Sequence, residues 1–173
     1  MASSSSCACS STSSKKFVLK TSDKELYYVD ENVALQSLTI KHMIAEIGDI
    51  QGQIIPLPNV TGKTLGKVIE YCKNYEAERT DRDADDDPIK VWEEKFLDEL
   101  DQDTFFDLML AANYMDIKSL LMVTCKYVAR TIQGNSPEEI RKIYNIKNDY
   151  TPEQEEAIRR ENPWAFDAIK GRR

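Results

Sequence analysis

Two tetrapeptides, Ser136-Pro137-Glu138-Glu139 and Thr151-Pro152-Glu153-Gln154, constrain this chain more tightly than anything else in it. Each sets a hydroxyl where it can accept from the amide three residues on. Each puts proline at the first helical position, where its missing N–H costs nothing, and follows it with a Glu or Gln that can reach back to the first amide. Helices are therefore predicted to begin at 137 and 152. Between them and just beyond, residues 136–167 carry Ile140, Ile143, Tyr144, Ile146, Tyr150, Ile158, Trp164 and Phe166 on two short helices and a tail. A lone helix of about 12 residues is marginal in water. These two must fold onto the preceding helix, onto another protein, or onto both. Ile140 and Ile143 read as completing the chain's own core. Trp164 and Phe166, beside Pro163 and past the second helix, read as interface anchors, a role in which aromatics are enriched.

The 173 residues suit one domain with room for a small second module. A Ser-rich start, residues 1–15, has no apolar core of a signal peptide and lacks the arginines of a transit peptide, so it reads as a disordered tail. Lys16–Lys20 and Leu26–Val29 read as paired strands around the turn residues Ser22-Asp23-Lys24. Asp30 or Asn32 is expected to cap a single helix carrying Leu35, Leu38, His42 or Met43, and Ile47, with Gly48 as its stop. Gln53–Pro58 reads as an edge strand because of its prolines. Thr61 precedes a helix with Leu65, Val68, Ile69, Cys72 and Tyr75 on one face. Residues 76–90 read as a solvated acidic loop. Asp81, Asp83 and Asp85 match the first ligands of a calcium-binding EF-hand, but Asp86 stands at its glycine and Trp92 at its final glutamate, so calcium is not expected. Helical spacing resumes at Val91-Trp92 and Phe96-Leu97. Asp103 is expected to cap a helix with Phe106, Met109, Leu110 and Asn113. The next helix carries Ile117, Leu120, Leu121, Thr124, Cys125, Val128 and Ile132 and ends at Gly134.

Catalytic chemistry finds little to work with. The single histidine, His42, lies among aliphatic neighbours, and Gly62-Lys63-Thr64 lacks the upstream glycine of a phosphate loop. The four cysteines form no C-x-x-C pair, so neither a disulfide framework nor a structural zinc is expected, and the reading is a reducing compartment. A net charge of -7 repels phosphate backbones, so nucleic acid is not an expected partner. No run is long enough to span a membrane. No cofactor, metal or small-molecule substrate is expected; the chain reads as a non-catalytic binding protein. Leu121, Cys125, Val128 and Ile132 advance by four, three and four residues, one stripe on one helix face. That stripe is either core or interface. Asn113, in an apolar helix, is either a buried amide or a polar contact.

Several longer segments carry a resemblance. Asp101-Gln102-Asp103-Thr104-Phe105-Phe106-Asp107-Leu108, Leu110-Ala111-Ala112-Asn113-Tyr114-Met115-Asp116-Ile117-Lys118, Pro137–Lys142, Asn145–Thr151 and Glu161-Asn162-Pro163-Trp164-Ala165-Phe166 closely resemble the S-phase kinase-associated protein 1 family, in its plant branch. Pro56–Val60 and Thr39-Ile40-Lys41 fit as well, and the similarity runs over residues 16–167. The resemblance implies an α/β fold: a BTB/POZ-type domain over 16–133, then F-box-binding helices over 134–167 and a flexible tail at 168–173. It implies an adaptor of Skp–cullin–F-box ubiquitin ligases, present in nucleus and cytoplasm, which joins the N-terminal region of a cullin to F-box proteins. By motif, Asn113 and Tyr114, with Met109 one turn earlier, fall on the cullin side. Leu121, Cys125, Val128, Ile132, Ile140, Tyr144, Ile146, Trp164 and Phe166 fall on the F-box side. Met122, Gln133, Asn135 and Pro163 depart from the family's usual residues.

Overall fold

A computed structural model describes residues 15–47, 54–78 and 88–163, with the side chains at 47, 76–78 and 88–90 left aside. The chain opens with an antiparallel hairpin of β1 (Lys16–Thr21) and β2 (Leu26–Asp30), in which Phe17 pairs Val29 and Leu19 pairs Tyr27. Lys24 turns the hairpin at φ 67°. β3 (Ile54–Leu57) pairs in parallel with the other side of β1, giving the order β2-β1-β3. The expected edge position of β3 follows from Pro56, whose ring nitrogen cannot donate to a second neighbour. Strand alternation sends Phe17, Leu19, Val29, Ile55 and Leu57 into the core, all buried.

The single helix expected between Asp30 and Gly48 is two helices, α1 (Glu31–Ala34) and α2 (Leu38–Ile47). Ser37 breaks them. Its buried hydroxyl donates to the Met115 carbonyl at 2.5 Å and accepts from the Ile40 amide at 3.2 Å, so it starts a new helix instead of continuing the old one. Asp30 occupies the cap position of α1 without a side-chain bond to it.

α3 (Gly62–Glu78) starts against the hairpin turn. The Gly62 amide donates to the Asp23 carboxylate at 3.0 Å, and the Tyr27 hydroxyl donates to the Gly62 carbonyl at 2.9 Å. A Cβ at position 62 would run into the Glu25 carboxylate as it stands, so a larger residue there would have to displace that side chain. The predicted acidic loop is shorter than 76–90, because α3 runs to Glu78 and α4 (Pro88–Asp98) begins at a proline suited to a first turn. Asp81, Asp83 and Asp85 lie outside the described residues.

α5 (Gln102–Tyr114) and α6 (Lys118–Ile132) complete the core with Phe105, Leu108, Ala112 and Leu120. Asp101, not Asp103, caps α5. It accepts from the Thr104 amide at 3.1 Å and from the Thr104 hydroxyl at 2.6 Å, and these bonds hold its carboxyl down at about 2. α6 ends where expected, with Gly134 at φ 88°. α7 (Pro137–Ile143) and α8 (Pro152–Glu161) follow, each with both halves of its capping box formed.

Candidate protein-binding surfaces

The first surface forms where the end of α5 meets the start of α2. The Thr39 hydroxyl donates to the Tyr114 carbonyl at 3.0 Å, and the Leu38 and Thr39 amides point at the carbonyls of Asp116 and Met115. These bonds fix the α5 terminus against a second helix. Asn113 is exposed, which removes the buried-amide alternative, and Tyr114 is half-buried beside it. Met109 is also half-buried and packs against the core, so it supports this surface from beneath more than it lines it. Leu110, three residues before Asn113 and four before Tyr114, is 68% exposed. Periodicity misses it because α5 is apolar on several sides, so a spacing argument assigns Leu110 to the core by default.

The second surface runs over α6, α7 and α8. The stripe predicted on α6 divides by burial. Leu121 and Val128 are half-buried against the core, whereas Cys125 and Ile132 are exposed. The fully buried positions of α6 are Leu120 and Thr124, on the neighbouring sector. Apolar surface also continues outward past the stripe to Met122, 57% exposed, and to Ala129.

Neither α7 nor α8 buries a single residue. This corrects the expectation that Ile140 and Ile143 complete the core: Ile140 is half-buried and Ile143 is 41% exposed. The attachments of α7 explain why. Gln102 Nε2 donates to the Ile143 carbonyl at 3.1 Å, and the Tyr144 ring leans on Phe106 at 5.9 Å between centroids. Those contacts orient α7 without covering it. α8 is held to α7 by charge, Arg141 to Glu155 at 3.0 Å and Arg159 to Glu138 at 2.9 Å. The Arg141 hydrogen bond and charge hold the Glu155 carboxyl below the usual glutamate value. Ile146 and Tyr150 stand in the connection, each about half exposed. An open groove of about 200 Å³ lies between the end of α4, α5, α6 and α7, with Leu100, Phe105, Tyr127, Ile143 and Tyr144 among its walls. Trp164 and Phe166 lie outside the described residues.

Reactive chemistry is sparse at both surfaces. Cys72 is buried and its thiol is pushed up to about 12 by that burial, which keeps it protonated and unreactive. His42 is exposed on α2. Among the described residues no cluster of three or more His, Cys, Asp or Glu side chains could hold a metal ion, and no helix is long and apolar enough to cross a membrane.

Sequence comparison matches both halves of this architecture. Residues 15–77 match the tetramerisation domain of the Skp1 family, and residues 118–165 match its dimerisation domain. The chain is 52% identical to SKP1-like protein 1A of Arabidopsis thaliana over 162 residues, covering 90% of this chain and 99% of that protein. It is 46% identical to the E3 ubiquitin ligase complex SCF subunit sconC of Arthroderma otae (90% and 98% covered). It is 48% identical to the SCF ubiquitin ligase complex protein SKP1a of Dictyostelium discoideum (86% and 94% covered).

Proposed function

The chain belongs to the Skp1 family, and from that premise we propose that it is the adaptor of a Skp–cullin–F-box ubiquitin ligase in nucleus and cytoplasm. It holds the N-terminal region of a cullin on one surface and F-box receptors on the other. Two relatives that match nearly end to end are named as subunits of such complexes. The observation that carries the reading is the state of the last two helices and their connection: the helices are capped, yet neither buries a residue fully, and Ile143, Ile146 and Tyr150 are left in water. A half-exposed isoleucine gains about 1 kcal/mol when covered. A partner that closes over several such residues at once is the natural complement.

The chain supplies no chemistry of its own in this role. It brings a substrate receptor and a cullin scaffold together, and the tethering raises the effective concentration of substrate at the transfer site. Cullin contact falls to Asn113 and Tyr114, with Met109 beneath them and Leu110 beside them. F-box contact falls to Leu121, Cys125, Val128, Ile132, Ile140, Tyr144 and Ile146, with Trp164 and Phe166 closing from the C-terminal side. The net charge of -7 suits basic partner surfaces and repels nucleic acid.

The test separates the two surfaces. Asn113→Lys with Tyr114→Lys abolishes cullin capture and leaves F-box capture intact, because a new charge buried in a contact costs several kcal/mol. Leu110→Glu does the same from an already exposed site, so its effect cannot come from unfolding. Cullin bound by both variants at wild-type affinity would overturn the assignment.

A further inference from the structure

The outward row of α6 carries information that the adaptor reading does not use. Lys118, Met122 and Lys126 stand four residues apart, so they form one line along the helix. All three are exposed. Neither lysine has an ion-pair partner among the described residues, in contrast to Arg130 on the same helix, which pairs with Glu94. Met122 adjoins the open stripe three residues before Cys125 and seven before Ala129, so apolar surface runs unbroken from Ile132 to Met122. The result is a flexible thioether between two free ammonium groups, on the rim of the proposed receptor surface, in a chain whose net charge is -7. Lys126 also borders a shallow groove that holds Glu93 and Glu94 of α4, but neither ammonium group is drawn into a salt bridge with them.

We propose that this row selects among F-box receptors, favouring those that set an apolar side chain against Met122 with carboxylates on either side of it to meet Lys118 and Lys126. The inference rests on the adaptor reading and deepens it. A methionine fills an irregular apolar contact and adapts to several partner shapes. The two ammonium groups reward acids beside that contact and repel receptors that present lysine or arginine there. Selection therefore comes from both an attractive and a repulsive element on one helix.

The experiment uses the full-length chain and a panel of purified F-box receptor proteins, with affinities measured by calorimetry at two salt concentrations. Three variants are compared with wild type: Met122→Leu, Met122→Asp, and Lys118→Glu with Lys126→Glu. For receptors that bind wild type, Met122→Leu stays within about threefold and Met122→Asp loses about tenfold or more, the scale expected when a charge replaces an anchor. The double glutamate variant also weakens binding, and added salt then strengthens its complexes where salt weakens those of wild type. Met122→Asp gains lysines four residues to either side, which favours the helix, so its loss of binding is not a loss of fold. Unchanged hydrogen exchange across α6 verifies that. If Met122→Asp binds every receptor within about twofold of wild type, the row lies outside the contact and the inference is overturned. If no receptor binds wild type while cullin still does, the adaptor reading fails on its receptor side and the inference falls with it.

Discussion

Removing the cap of α7 tests whether the last two helices belong to the cooperative core. Ser136 Oγ accepts from the Glu139 amide at 3.2 Å, and Glu139 Oε2 accepts from the Ser136 amide at 2.7 Å. α7 has seven residues and buries none, so tertiary packing adds little to its helical population. Ser136→Ala removes one of two reciprocal bonds and loosens the other, at a cost of about 1 kcal/mol. Since about 1.4 kcal/mol is a factor of ten, the open population of α7 should rise about fivefold. Amide exchange reads this directly at Ile140 and Tyr144, whose N–H groups are bonded to the Ser136 and Ile140 carbonyls at 2.9 and 3.0 Å. Exchange at these two positions should accelerate about fivefold while that of Leu108 and Leu120 stays unchanged. The melting temperature should also hold, whereas a cap belonging to the global unit would lower it by about 2–4 °C. Unaltered exchange in α7, or a melting temperature down by that amount, would refute the argument that α7 opens independently of the core.

Other perturbations read other parts of the molecule. Leu120→Ala, at a fully buried position, should cost about 2–5 kcal/mol with an unchanged denaturant slope in urea unfolding. In the native protein a thiol-alkylating reagent should label exposed Cys125 well before buried Cys72, and a bound F-box receptor should protect Cys125 under the proposed assignment. The Arg141–Glu155 pair should fail in acid. Because the folded-state carboxyl of Glu155 is lowered from 4.5, its contribution is complete above that pH and disappears as pH falls through the lowered value. Protection of the α8 amides, relative to their intrinsic exchange rates at each pH, should therefore fall below pH 4.5, and Arg141→Gln should flatten that dependence.

Local polar chemistry was the most legible part of this chain. The capping boxes at Ser136 and Thr151 and the stop at Gly134 are each decided by three or four adjacent residues, and all three form as read. Where a cap was misread, the choice lay between close neighbours. Asp101 and Asp103 are both acceptable caps by sequence, but the bonds from the Thr104 amide and hydroxyl belong to Asp101. Ser37 involves a distant group. Its hydroxyl accepts from the Ile40 amide to start α2 and donates its own hydrogen bond to the Met115 carbonyl, 78 residues away in sequence. The sheet was readable from alternation and from Pro56, while its parallel crossover from β1 to β3 was not, since partner choice leaves no local trace.

The binding surfaces show a different limit, one set by helix geometry. α6 carries two sectors side by side: Leu120 and Thr124 face the core, and Leu121, Cys125, Val128 and Ile132 fall on the next sector, from half-buried to open. Both sectors obey the three-and-four spacing of a helix face, so periodicity reports one broad apolar helix and cannot mark where core ends and interface begins. α5 hides Leu110 in the same way. Burial makes the division, because the core is closed by what the chain itself supplies. α7 and α8 supply little to that closure: their ties include caps, ion pairs, a side-chain amide at the Ile143 carbonyl and the Tyr144 ring against Phe106. Such bonds order a helix without covering it, and they leave the apolar side of each turned to water at little cost in folding. Pre-ordering of this kind also lowers the entropy lost on association. The features that keep these helices out of the core therefore also prepare them to receive a partner.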